Sequence, residues 1–141
     1  MLNSGIANAC VSNNDSFFCT GSRYFDLYPE VMGFDVTFGT NKEKRPMARA
    51  TIKTSSNKNV PFFNALLPSG ASWVFRWIFH DALPRLLAKE SLAKLHLILV
   101  DDDHHCNTQI DSARHLKKLP NAQYRLCKWH KVRTEYFVIH A

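Results

Sequence analysis

The sequence predicts a single α/β domain built on a mixed five-stranded sheet, and three observations carry that prediction. Between residues 31 and 67, three short segments of extended character are separated by turn-rich runs. After Pro68, Ser69 and Gly70 the pattern changes to a long apolar stretch, SWVFRWIFHDALPRLLAKE at 72–90. The run LHLILV at 95–100 is almost wholly apolar, as a strand buried on both faces of a sheet is. The 141 residues are 45% hydrophobic, 12% aromatic and 21% charged, which is the composition of one globular domain and excludes collagen, coiled coil and wholesale disorder.

Along the chain, residues 1–30 are rich in Asn, Ser and Gly without a sustained period and read as an irregular lead-in, with a short ordered stretch around Tyr24 to Tyr28. The core, residues 31–141, begins with strands at Val31–Gly39, Met47–Ser55 and Val60–Leu67. The linking runs 40–46 and 56–59 are short enough for hairpins, which gives a three-stranded antiparallel meander. Ser72 is placed to cap the helix that follows, Arg76 and His80 lie one turn apart as a polar stripe, and Pro84 should kink or interrupt it. After the 95–100 strand, a second helix fits Thr108–Leu119, stopped by Pro120, and Gln123–Cys127 reads as the last strand. Three meander strands followed by helix, strand, helix and strand, so that the last meander strand opens a βαβαβ run, is the element order of ribonuclease H-like folds.

The charge balance, 18 Lys plus Arg against 12 Asp plus Glu, gives a formal +6 and favours a polyanionic partner. No stretch approaches the roughly 20 apolar residues of a membrane span, and the first 18 residues lack the pattern of a secretory leader. Cys10, Cys19, Cys106 and Cys127 form no Cys-x-x-Cys pair and read as free thiols.

Two features carry chemistry. Asp35 stands in mid-strand between apolar neighbours, where a carboxylate needs a hydrogen bond, a cation or a metal unless it faces water. Asp101, Asp102 and Asp103 follow directly on the buried strand, at the end where open α/β sheets place functional groups. Their blander reading is a solvated loop that caps the next helix. In the inferred topology the strands of Asp35 and Asp101 are neighbours, so the two carboxylates are expected to share Mg²⁺ or Mn²⁺ in a two-metal site acting on a phosphodiester. Arg125, Lys128, Lys131 and Arg133 are the candidate phosphate contacts.

These residues fall into blocks that resemble the MULE (Mutator-like element) transposases. DVTFGTNKEKRP at 35–46 is similar to the family's first block, with Asp35, Thr37, Phe38, Thr40, Asn41 and Pro46 on its pattern. LPSGASWVFRWIFHDALP looks like its Trp-containing helix, LILVDDDHHCNTQI like its second block through Asp101 and Ile110, and LCKWH like its Cys-x-x-His block through Cys127 and His130. The resemblance covers roughly 30–131. It implies a DDE-type, ribonuclease H-like core that cuts and joins DNA with Mg²⁺ or Mn²⁺ in the nucleus, with Asp35 and Asp101 as its first two acids; where the family has Thr-Asp-Gly this chain has Val100-Asp101-Asp102, which leaves Asp102 as the alternative to Asp101 for facing the metal, and the spacing favours Asp101. Self-association is left open. The family's third acid lies late in the domain, and Glu135 is the one acid after the Cys-x-x-His block, so the core is expected to be truncated at its C-terminus. Two other readings stay open: an inactive transposon-derived remnant, and a ribonuclease H-like nuclease that uses Glu135. For Cys127 and His130 the alternatives are zinc ligation with Cys106 and His104 or His105, contact with DNA, and support of the active site.

Overall fold

A computed structural model describes residues 10–12, 15–19 and 22–127. Its elements in chain order are β1 (Cys10–Ser12), β2 (Asp15–Cys19), α1 (Ser22–Leu27), β3 (Val31–Thr37), β4 (Met47–Lys53), β5 (Asn59–Leu66), α2 (Ser72–Trp77), a π-turn (Ile78–Ala82), α3 (Leu83–Leu86), α4 (Lys89–Ala93), β6 (Leu97–Val100), α5 (His104–His115) and β7 (Gln123–Leu126). The five strands β5-β4-β3-β6-β7 form the expected mixed sheet: β3, β4 and β5 are an antiparallel meander, while β3, β6 and β7 run parallel. The α/β arrangement is that of a ribonuclease H-like fold. A hairpin of β1 and β2 adds to the β5 edge and extends the sheet to seven strands. Those two strands lie in the segment expected to be irregular, and α1 occupies its ordered part. β2 is recruited by pairing with β5, distant in the chain, and β1 by pairing with β2, so neither is set by a local period.

The sheet has one core face. Met32, Phe34, Ala48, Ala50, Ile52, Phe63, Ala65, Ile98 and Val100 are buried, and Val74, Phe75, Ile78, Phe79, Leu83, Ile110 and Ala113 from the helices pack in the same cluster. Phe34 sits against Phe79 at 5.0 Å between ring centroids, and Phe25 of α1 against Phe62 at 5.3 Å. On the opposite face Leu97 and Leu99 are only half-buried, so β6 is not the doubly buried strand that LHLILV suggested. Apolar content alone does not separate a strand with two covered faces from one that lines an open groove.

Pro84 acts as expected but through a wider turn. It has no amide to donate to the preceding turn, and the helix loosens just before it into a π-turn, where the Leu83 amide reaches back five residues to the Ile78 carbonyl. The extra residue swings His80 into the core at 6% exposure while Arg76 remains at the surface, which undoes the expected polar stripe. Ser72 is not the cap of α2: Ala71 holds that position without a side-chain hydrogen bond, and Ser72 Oγ instead accepts from Gln109 Nε2 of α5 at 3.0 Å. Helix α5 begins four residues before the expected Thr108, because Asp103 caps it by accepting from the His105 and Cys106 amides at 2.9 and 3.2 Å. The expected run to Leu119 ends at His115, where Lys117 takes a left-handed φ of 60°.

Candidate functional site

The site grows out of strand register. Asp35 of β3 is paired with Arg49 of β4, and Arg49 with Asn64 of β5. On the other side β3 and β6 run parallel with Gly33 opposite Leu99, and β6 and β7 with Val100 opposite Leu126. Continued by two residues and by one, these registers bring Asp101 opposite Asp35 and Cys127 opposite Asp101. The Cys127 amide donates to the Val100 carbonyl at 2.8 Å, so the backbone pairing does extend to that row. Asn64, Arg49 and Asp35 are thus register partners across three strands, and Asp101 and Cys127 continue the same line just beyond the ends of β6 and β7.

Because side chains alternate along a strand, the odd-numbered residues of β3 and β6 share the face away from the core. A groove of about 400 Å³ runs over that face and is lined by Gly33, Asp35, Arg49, Thr51, Lys53, Leu99, Asp101 and Cys127 among others. Its floor is low because Gly33 carries no side chain: a Cβ there would meet Thr51 Oγ1 at 2.7 Å. Arg49, the register partner of Asp35, donates from Nε to Asn64 Oδ1 of β5 at 3.0 Å. Arg49 and Lys53 escaped the sequence reading. Their signal was a strand with cationic side chains at i and i+4 on one face, which is visible only once the face of β4 is known.

The three consecutive acids separate into distinct roles. Asp101 lines the groove with Asp35, Asp103 is the cap of α5, and exposed Asp102 lines a second pocket on the core side together with Asp101 and Asp103. Within the first sequence block, Asn41 closes the loop after β3: its Nδ2 donates to the Arg45 carbonyl at 2.7 Å and its Oδ1 accepts from the Arg45 amide at 3.1 Å. Arg45 in turn donates to the Leu67 and Leu66 carbonyls, and the Leu67 amide donates to the Pro46 carbonyl at 2.8 Å. The Thr-Asn-to-Pro part of the block is therefore a clasp that fixes the end of the strand bearing Asp35.

Among the described residues no group of three or more His, Cys, Asp or Glu is close enough to hold a metal. Cys106 and Cys127 are free thiols that line different pockets, and burial, with Asp103 and Asp101 nearby, pushes the Cys106 thiol far above its ordinary range. Exposed His104 and His105 stand with ring centroids 6.1 Å apart on the first turn of α5. Lys128, His130, Lys131, Arg133 and Glu135 lie outside the described residues. Arg125 is exposed on β7, where it donates to the Tyr124 carbonyl. Among the described residues no helix is long and apolar enough to cross a membrane.

The comparisons with known proteins agree with this architecture. No curated protein matches the chain. The model of the MULE transposase domain matches residues 31–134, which begins at the first residue of β3 and takes in the whole row of groove residues. A match over that much of the chain establishes that it belongs to the MULE transposase domain family, a transposase-related family for which DNA is the implied partner.

Proposed function

We propose that the groove over β3 and β6 is a site of metal-dependent DNA strand cleavage and transfer, the chemistry of a DDE-type transposase core working on DNA in the nucleus. The observation that carries the proposal is the placement of Asp35 and Asp101 in one cross-strand row on the walls of one groove. Two carboxylates fit Mg²⁺ or Mn²⁺, which take oxygen ligands and keep several positions for water and substrate phosphate. A bound divalent cation supplies the charge that favours deprotonation of an attacking hydroxyl and stabilises the leaving oxygen of a phosphodiester.

The chain's own residues do the rest. Asp35 and Asp101 would hold the cation, whereas Asp102, the alternative to Asp101, lines the second pocket. Arg49, fixed by Asn64, and Lys53 four residues along the same strand give two fixed positive charges for the phosphates that flank the scissile one. Thr51 and Gly33 leave the floor between them flat enough for a sugar-phosphate backbone to approach. Glu135 is the candidate for the third acid.

Nicking of supercoiled plasmid in Mg²⁺ or Mn²⁺ tests the reading. Wild-type chain is expected to nick, and Asp35→Asn and Asp101→Asn to lose that activity. Loss in Glu135→Gln as well would assign the third acid within this chain. A folded wild type that binds DNA and the cation without cutting would make it the inactive remnant. Nicking that survives both Asp substitutions would remove the groove as the site.

A further inference from the structure

The Asp101–Asp103 turn has a second side. Facing the core rather than the open groove, a pocket of about 220 Å³ is lined by Phe34, Phe38, Phe75, Asp101, Asp102 and Asp103, among others. Its volume is below the roughly 300–1,000 Å³ of pockets for drug-sized ligands, so it suits one planar ring system. The pocket lies beyond the C-terminal ends of the parallel neighbours β3 and β6. There the chain leaves β3 toward β4 on one side and β6 toward β7 on the other, which is the switch point where open α/β sheets bind ligands.

Two walls differ in chemistry. One is aromatic: Phe34 and Phe75 are buried in the core, whereas Phe38 is 65% exposed at the rim. The Phe38 ring stands over Gly70, where an added Cβ would touch Cε1 and Cζ at 3.8 Å, so the ring is backed by main chain instead of a bulky side chain. The other wall is made of hydrogen-bond acceptors. Asp102 is exposed, and Asp103 spends only Oδ1 on the helix cap. A ligand that fits both walls has a flat π-face and N–H donors along one edge.

We propose that this pocket binds a single unpaired nucleobase, stacked on Phe38 with its N–H edge toward the Asp102 and Asp103 carboxylates, and that it prefers guanine over thymine. Guanine presents adjacent N1–H and N2–H₂ donors that match one carboxylate in two hydrogen bonds; thymine offers one N–H flanked by two carbonyl oxygens, which a carboxylate repels. The proposal rests on the nucleic-acid reading of the neighbouring groove. Asp101 lines both spaces, so the groove and the pocket adjoin at that residue.

The test uses three dye-labelled 12-nucleotide strands of abasic sugar-phosphate that carry dG, dT or no base at one central position. Binding is read by fluorescence anisotropy in Ca²⁺. Wild-type chain is expected to bind the dG strand roughly tenfold more tightly than the dT strand, and the abasic strand weakest. Phe38→Ala should level the three strands at the abasic affinity, Phe38→Trp should restore the base dependence, and Asp102→Asn should shrink the dG preference while keeping base above abasic. Wild type that binds all three strands equally would overturn the base pocket and leave the DNA reading intact. Wild type that binds none of them would overturn both.

Discussion

Replacing Gly33 by alanine tests the packing that keeps the groove open, and the structure sets the size of the effect. An added Cβ would stand 2.7 Å from Thr51 Oγ1, well inside contact distance, on the β3–β4 pair in which Gly33 and Thr51 are register partners. Relief requires either that Thr51 leave its rotamer, at about 0.5–1.5 kcal/mol, or that β3 and β4 separate, at an overpacking cost of roughly 1–3 kcal/mol. Against this stands a gain of about 0.5–1 kcal/mol, because alanine is a better strand residue than glycine. The net expectation is a loss of about 1 kcal/mol. With Thr51 already changed to alanine the obstructing oxygen is gone, and Gly33→Ala should then be neutral or stabilising. Urea unfolding of the wild type, the two single variants and the double variant gives the coupling energy from midpoints at constant m-value. An equal effect of Gly33→Ala in both backgrounds would refute the claim that Thr51 is what requires glycine there.

Other consequences follow from single contacts. Asp103→Ala removes the acceptor of two α5 amides and should cost about 1 kcal/mol in urea unfolding, whereas Asp103→Asn should retain most of the cap. His80 has its pKa lowered below the ordinary 6.5, first by burial and further by Arg76 and Lys118, against the opposing effect of a Gln109 backbone hydrogen bond and Asp81. The native state then resists protonation that the unfolded chain accepts, so stability falls as pH drops below about 6.5 toward the folded pKa. The difference in urea midpoint between wild type and His80→Gln should therefore narrow from pH 7.5 to pH 5.5; a constant difference would contradict it. Arg49→Ala should weaken DNA binding and lower the slope of log affinity against log salt by about 0.9 for each lost phosphate contact. Asn41→Ala breaks both hydrogen bonds of the β3–β4 loop clasp and should cost roughly 1–3 kcal/mol in thermal or urea unfolding.

The parts of this fold legible in the sequence were those set by local pattern. Turn residues around 40–46 and 56–59 placed the meander, and the apolar run before Asp101 placed the strand that carries it. What sequence missed depended on partners distant in the chain. Ser72 has the composition of a cap, yet its hydroxyl faces Gln109. The start of α5 hinged on which of three adjacent aspartates turned back to the helix amides, and the third did so. Arg49 and Lys53 looked like ordinary surface cations until the register placed Arg49 opposite Asp35 and both along one groove. Phe38, read only as a block residue, gained its meaning from a pocket whose other wall lies more than sixty residues away in sequence. Asp35 stood out by its mid-strand place, yet the structure leaves it exposed on the open face of the sheet, so its desolvation cost alone does not demand a partner and its place beside Asp101 in the groove is what singles it out.

The central claim is that Asp35 and Asp101 form one cation site. Calorimetric titration of Mg²⁺ and Mn²⁺ into the folded wild-type chain and into Asp35→Asn, Asp101→Asn and Asp102→Asn tests it most directly. The account predicts binding by the wild type, its loss in both the Asp35 and the Asp101 variants, and a weaker effect at Asp102. No binding by the folded wild type, or binding that survives either of the first two substitutions, would contradict it.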